Sequence, residues 1–172
     1  VYSYSGALSG NASNGGAINL TTNSGLITTG NIDARSFAAT GTGLGGDIAL
    51  TAANGITAGQ MNTVLLSSSP ANNFGNITLT GNAIDLVGGN NTIVSNRNLL
   101  IQPFTPTQNI SLGGTGDTGT NTLDLSTNEL NTLANGFNSI TIGRADGSGE
   151  ITLKSDVPFS DPVTLRSPVG SG

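Results

Sequence analysis

The chain has no histidine and no cysteine, and each absence removes a class of chemistry. Without histidine there is no Ser-His-Asp triad and no imidazole-ligated metal. Without cysteine there are no disulfide staples and no thiolate metal sites, so stability must come from packing alone. Charge is also scarce. Only 9% of the 172 residues are Asp, Glu, Lys or Arg, and the formal net charge is −5. The five basic residues, Arg35, Arg97, Arg144, Lys154 and Arg166, are scattered along the chain. A nucleic-acid surface needs them concentrated in a stripe, so no nucleic-acid partner is expected. No apolar run approaches the ~20 residues that span a bilayer, and no basic amphipathic segment offers a surface anchor, so membrane insertion is not expected either. Aromatics make up 4%, which leaves few stacking platforms for sugars.

What is abundant is Gly, Asn, Thr and Ser, which favour turns and strand surfaces rather than helix. Within that background one phrase recurs. Gly16-Ala17-Ile18-Asn19-Leu20-Thr21 returns as Gly46-Asp47-Ile48-Ala49-Leu50-Thr51 and as Gly75-Asn76-Ile77-Thr78-Leu79-Thr80. The step from Gly16 to Gly46 and the step from Gly46 to Gly75 differ by a single position. Looser copies stand at Asn109-Ile110-Ser111-Leu112, Glu150-Ile151-Thr152-Leu153 and Pro162-Val163-Thr164-Leu165. A near-constant period in a strand-like sequence marks a β-solenoid, one unit stacked on copies of itself. An antiparallel sandwich also needs many short strands, but it does not require one phrase at constant spacing.

Side chains alternate faces along a strand. Ile18, Ile48 and Ile77 therefore share the core with Leu20, Leu50 and Leu79. A second column is expected at Leu26, Ile56 and Ile84, a third at Ile32, Met61 and Ile93, and a fourth near Phe37, Leu65 and Leu99. Asn and Gly clusters between them suit tight corners. The expectation is a single all-β domain over residues 1–172, with about five or six coils of three short strands. One segment departs from this. Ser126-Thr127-Asn128-Glu129 reads as a capping box, with Ser126 at the N-cap and Glu129 three residues on, which predicts a short helix near 127–134 stopped by Gly136.

From Leu123-Asp124-Leu125-Ser126-Thr127-Asn128-Glu129-Leu130 through Gly136-Phe137-Asn138-Ser139-Ile140-Thr141-Ile142-Gly143-Arg144 to Gly149-Glu150-Ile151-Thr152-Leu153, the chain resembles repeats of filamentous-haemagglutinin-like exoproteins. These are long surface proteins of cyanobacteria and other Gram-negative bacteria. Phe159-Ser160-Asp161-Pro162-Val163-Thr164-Leu165 is similar to the next phrase of the same repeats. The resemblance implies a right-handed parallel β-helix and a role in adhesion, aggregation or biofilm scaffolding. It also implies an extracellular or cell-surface location, secretion through an outer-membrane pore, and partners such as a surface polysaccharide or a host-cell receptor. No stretch matches the family's secretion domain or a toxin module, so the chain is expected to be a shaft segment of a longer repeat protein.

Parallel β-helices also host enzymes that cleave polysaccharides with carboxylates in a surface groove. The candidates are Asp33 with Arg35, and Asp146 with Glu150 beside Arg144; the blander reading is solvated edge and turn residues. Gly113-Gly114-Thr115-Gly116-Asp117 is a single glycine–aspartate turn, whereas a calcium site wants several oxygen ligands. No metal or cofactor is expected. Ice binding would need threonine at every outward position, which instead reads Asn19, Ala49, Thr78, Ser111. Four glycan-acceptor tripeptides, at Asn11, Asn76, Asn90 and Asn109, match by chance composition and receive no role.

The expected function is therefore that of a non-enzymatic filament segment. Val1, Tyr2, Ser3 and Tyr4 alternate as an end-pairing strand does, so the principal partner is the chain itself or its neighbouring repeats. The alternative is a carbohydrate-binding or carbohydrate-cleaving β-helix.

Overall fold

A computed structural model describes residues 1–7, 14–38, 43–67, 74–116, 121–157 and 159–169, with residues 5–7, 38 and 65–67 described by backbone alone. Among them are eighteen strands and one four-residue helix, and every strand pairing is parallel. After a short strand β1 (Ser5–Ala7), the chain runs through β2 (Ile18–Thr22), β3 (Leu26–Thr29), β4 (Ile32–Asp33) and β5 (Ser36–Ala38). It then repeats that path as β6 (Ile48–Ala52), β7 (Gly55–Ala58), β8 (Met61–Asn62) and β9 (Leu65–Ser67). Each strand of the second pass pairs with its counterpart in the first: Ile18 with Ile48, Ile27 with Ile56, Ile32 with Met61 and Ser36 with Leu65. The first two turns therefore have four strands each.

The third turn, β10 (Ile77–Gly81), β11 (Ile84–Leu86) and β12 (Ile93–Val94), omits the fourth side and passes directly to β13 (Asn98–Gln102), which pairs with β10. The step between aligned core residues shortens accordingly: Ile77 to Leu99 is a shorter stretch of chain than Ile18 to Ile48 or Ile48 to Ile77.

The next turn breaks sequence order. β14 (Asn109–Leu112) is followed by β15 (Thr122–Leu125), the helix α1 (Thr127–Leu130) and β16 (Ser139–Ile142), and then by β17 (Ile151–Leu153) and β18 (Val163–Leu165). The pairing order on this side is β15–β14–β17, with β15 also lying against β11. The chain thus overshoots with β14 and doubles back to lay β15 beneath it. The detour makes Leu99 to Ile140 the longest step in the column, and Ile140 to Val163 is short again.

One sheet runs the whole height in the order β2, β6, β10, β13, β16, β18. Its inward positions form two unbroken columns: Ile18–Ile48–Ile77–Leu99–Ile140–Val163 and Leu20–Leu50–Leu79–Ile101–Ile142–Leu165. Ile48, Leu50, Ile77, Leu79, Leu99 and Ile101 are all fully buried. Each such side chain contributes about 1.5–3 kcal/mol of transfer free energy.

Corners deprive the backbone of partners, and side-chain amides and carboxylates replace them. Asn14 Oδ1 accepts the N–H of Leu44 (3.0 Å), Asp47 Oδ1 that of Asn76 (2.6 Å), and Asn109 Oδ1 that of Glu150 (2.9 Å). In each case the acceptor lies one turn earlier in the chain than its donor, which accounts for the Asn-rich strand entries. The glycine that opens the repeated phrase has a separate reason. A methyl on Gly46 would land on the Gly16 carbonyl, and one on Gly75 on the Gly46 carbonyl.

Several expectations need correction. Leu26 is not in the second core column; it is exposed and pairs with Gly55, while Ile27 stacks on Ile56 and Ile84. Two adjacent apolar residues fit either face, and a one-residue shift exchanges them. The fourth column does not form. Phe37 is exposed and aligns with Leu66, whereas Leu99 continues the Ile18 column. The phrase copies at 109–112 and 151–153 stack on each other in a different sheet, and the missing rung of the long sheet is Asn98–Gln102. Ser111 consequently leaves the outward ladder, which continues from Thr78 to Leu100, Thr141 and Thr164. The helix ends at Leu130 with Asn131 as C-cap, because Leu133 is drawn into the stack by a parallel bridge to Ile93.

Candidate functional site

The capping box is present: Ser126 Oγ accepts the Glu129 N–H, and Glu129 Oε2 accepts the Ser126 N–H at 2.8 Å. Glu129 does more than cap. Its Oε1 accepts the Leu86 N–H of β11 at 3.1 Å, so one buried carboxylate ties the helix to the strand below. Burial raises its pKa, and the bonds from Ser126 and Leu86 oppose that rise.

Two of the three candidate catalytic carboxylates, Asp33 and Asp146, are held in ion pairs. Asp33 is buried and receives Arg35 Nε at 2.7 and 2.8 Å. Arg144 donates to both oxygens of Asp146 at 2.7 and 2.9 Å, and to the Phe104 carbonyl at 3.1 Å. That hydrogen bond lowers the Asp146 pKa and favours the ionised form, the opposite of what a general acid needs. Glu150 is placed by its backbone, donating to Asn109. Gly113 and Gly114 have φ of +82° and +86° and form the expected glycine turn, with the Gly114 N–H on Ser155 Oγ. Asp117, and the tripeptide at Asn11, lie outside the described residues.

Two features were not anticipated. Lys154, just past β17, reaches across β14 to the buried Asp124 on β15, with Nζ 2.9 Å from Oδ2. Beside it a cavity of about 200 Å³ is lined by Asn109, Ser111, Thr122, Asp124, Thr152 and Lys154. The second feature is lateral. Tyr2 and Tyr4 have ring centroids 5.8 Å apart, Tyr4 and Phe37 6.3 Å, and the Arg35 guanidinium lies 5.8 Å from the Phe37 centroid. The available signal was an offset close to the period of the phrase, which pairs Tyr2 with Asp33 and Gly6 with Phe37.

The two ends of the stack differ from its middle. At one end the outer edge of β2 has no strand beyond it among the described residues. Val1–Tyr4 lies one rung beneath β4, the Ser3 N–H donating to the Asp33 carbonyl and the Asp33 N–H to the Val1 carbonyl. At the other end the same is true of β18. There Leu153, Val157, Phe159, Val163 and Leu165, together with Lys154, Ser155 and Asp156, line an open groove of mixed polarity of about 580 Å³.

Compared with family models, curated proteins and solved structures, the chain matches none. No described helix is long and apolar enough to cross a membrane.

Proposed function

We propose that the chain is a structural segment of an extracellular filament: a right-handed parallel β-helix, non-enzymatic, that stacks rung on rung with a further copy of the same fold. The observation that carries this reading is the gradient along one core column. Leu50, Leu79, Ile101 and Ile142 are sealed, whereas Leu165 at the last rung is 38% exposed and the neighbouring Leu153 61%. Exposed apolar side chains beside a parallel edge that has no further strand among the described residues are the surface on which another strand adds. Laying β2 of a second copy on β18 sets Ile18 over Val163 and Leu20 over Leu165, continuing both columns. Right-handedness is favoured because parallel crossovers take that hand in about 98% of cases. The resemblance of residues 123–153 to filamentous-haemagglutinin-like repeats supports a bacterial cell-surface setting and export through an outer-membrane pore.

Electron microscopy of the purified chain over a range of concentrations tests this. Fibres that lengthen with concentration and diffract with a meridional spacing of about 4.8 Å are expected. Discrete short particles at every concentration refute self-stacking.

A further inference from the structure

We propose that Tyr2, Tyr4 and Phe37, with the Asp33–Arg35 pair, form a lateral binding surface for a single chain of a neutral polysaccharide. The inference goes beyond the filament reading and does not depend on it. Ile32, Ala34 and Ser36 are buried, so Asp33, Arg35 and Phe37 point away from the core. Tyr2 pairs with Asp33, and Ser5 with Ser36, so Tyr4 sits beneath Arg35 on the same outer face. The rings therefore project sideways from the stack. A strand added beneath Val1–Tyr4 would use their backbone and leave them uncovered.

The cost of this arrangement is what makes it informative. The chain has seven aromatic residues, two Tyr and five Phe. Three of them, including both tyrosines, are gathered in one exposed cluster: Tyr2 is 64% exposed, Tyr4 56% and Phe37 40%. Contiguous exposed aromatics carry a solvation cost that a packing role does not explain, and such patches mark interaction sites.

The chemistry of the patch selects the ligand. Ring faces offer their negative quadrupole to the weakly positive C–H faces of a sugar ring. The phenol hydroxyls and the guanidinium supply hydrogen bonds to sugar hydroxyls at the rim. Arg35 is neutralised by Asp33, which receives its Nε at 2.7 and 2.8 Å, and it leans on Phe37. The side chains of the cluster thus carry no net charge to hold a polyanion, and the chain's net charge of −5 repels one. That points to a neutral glycan. The rings are inclined by 41° and 78° to one another. A flat crystalline face needs coplanar rings, whereas tilted ones follow a single chain that turns.

Affinity electrophoresis of the full chain in native gels containing a neutral β-glucan, a neutral galactomannan or acidic alginate tests the proposal. Tyrosine emission provides a second readout, because the chain has no tryptophan and both its tyrosines lie in the patch. Retardation by at least one neutral polysaccharide, with a change in tyrosine emission on titration, is expected. Tyr4→Ala and Phe37→Ala are each expected to weaken binding roughly tenfold or more while leaving far-UV dichroism unchanged. Tyr2→Ala, at a more exposed position, serves where Tyr4→Ala fails to fold. Equal retardation of wild type and folded variants overturns the proposal. So does retardation by alginate alone, or the absence of any response to all three polysaccharides. Loss of self-association on Tyr4→Ala, measured by sedimentation and without glycan binding in the wild type, would assign the patch to a second copy instead.

Discussion

Asp124 lies on β15 and Lys154 just past β17, two strands that are not neighbours, yet Nζ stands 2.9 Å from Oδ2, with β14 between them. The lysine spans the strand that overshoots and fastens the one that doubles back. The two ends differ in exposure: the Asp124 side chain is 3% accessible and that of Lys154 36%. Removing the lysine leaves a buried carboxylate without its ammonium, whereas removing the carboxylate frees an ammonium that can turn to water. Lys154→Ala is therefore expected to cost about 2 kcal/mol, between an exposed and a fully buried pair because its cation is partly solvated, and more than Asp124→Asn. Urea unfolding midpoints of the two variants check the order.

Glu129 makes stability depend on pH. Its folded pKa is raised, first by burial, so the folded state holds that proton more tightly than the unfolded chain does. This group's contribution therefore falls as pH rises from the ordinary carboxyl value, near about 4.3, through the folded pKa. Glu129→Gln removes the titration. The stability of wild type relative to this variant is expected to increase as pH is lowered from neutrality toward that ordinary carboxyl value, read from thermal midpoints. A relative decrease contradicts the assignment.

Two glycines separate steric need from mere exposure. A methyl on Gly46 meets the Gly16 carbonyl and the backbone around it, none of which can yield, whereas one on Gly30 has nothing within 4 Å. Gly46→Ala is expected to cost at least about 2 kcal/mol, as overpacking against fixed backbone does. Gly30→Ala is expected to be neutral or up to about 1 kcal/mol stabilising. Thermal unfolding of the pair measures the contrast.

What could be read from the sequence was whatever repeats locally. The Ile48–Ile77 and Leu50–Leu79 columns and the Ser126–Glu129 cap follow from alternation and spacing, and the structure has them in place. Leu26 misled because Ile27 beside it is equally apolar, and only the partner strand, where Gly55 faces Leu26, decides the register. Leu99 was hidden because its strand lacks the Gly and Thr of the repeated phrase. The doubling back of β15 leaves no local mark, since the order in which strands stack is a long-range property. Tyr2 and Tyr4 gave only their alternation, and their cluster with Phe37 needs the register between successive turns, which sets Tyr2 beside Asp33.

An end-to-end filament requires the end rungs to join in register, and one engineered pair reads this directly. The chain has no cysteine, so Asn19→Cys with Thr164→Cys introduces the only two thiols. Stacking of β2 on β18 brings these positions about 4.8 Å apart, within the Cα range of a disulfide. Mild oxidation is expected to give a ladder of covalent dimers, trimers and longer species on denaturing gels, and Asn19→Cys with Ser167→Cys, out of register, is expected to give far less. A monomer after oxidation at high concentration, or equal ladders from both pairs, contradicts the register and with it the end-to-end filament.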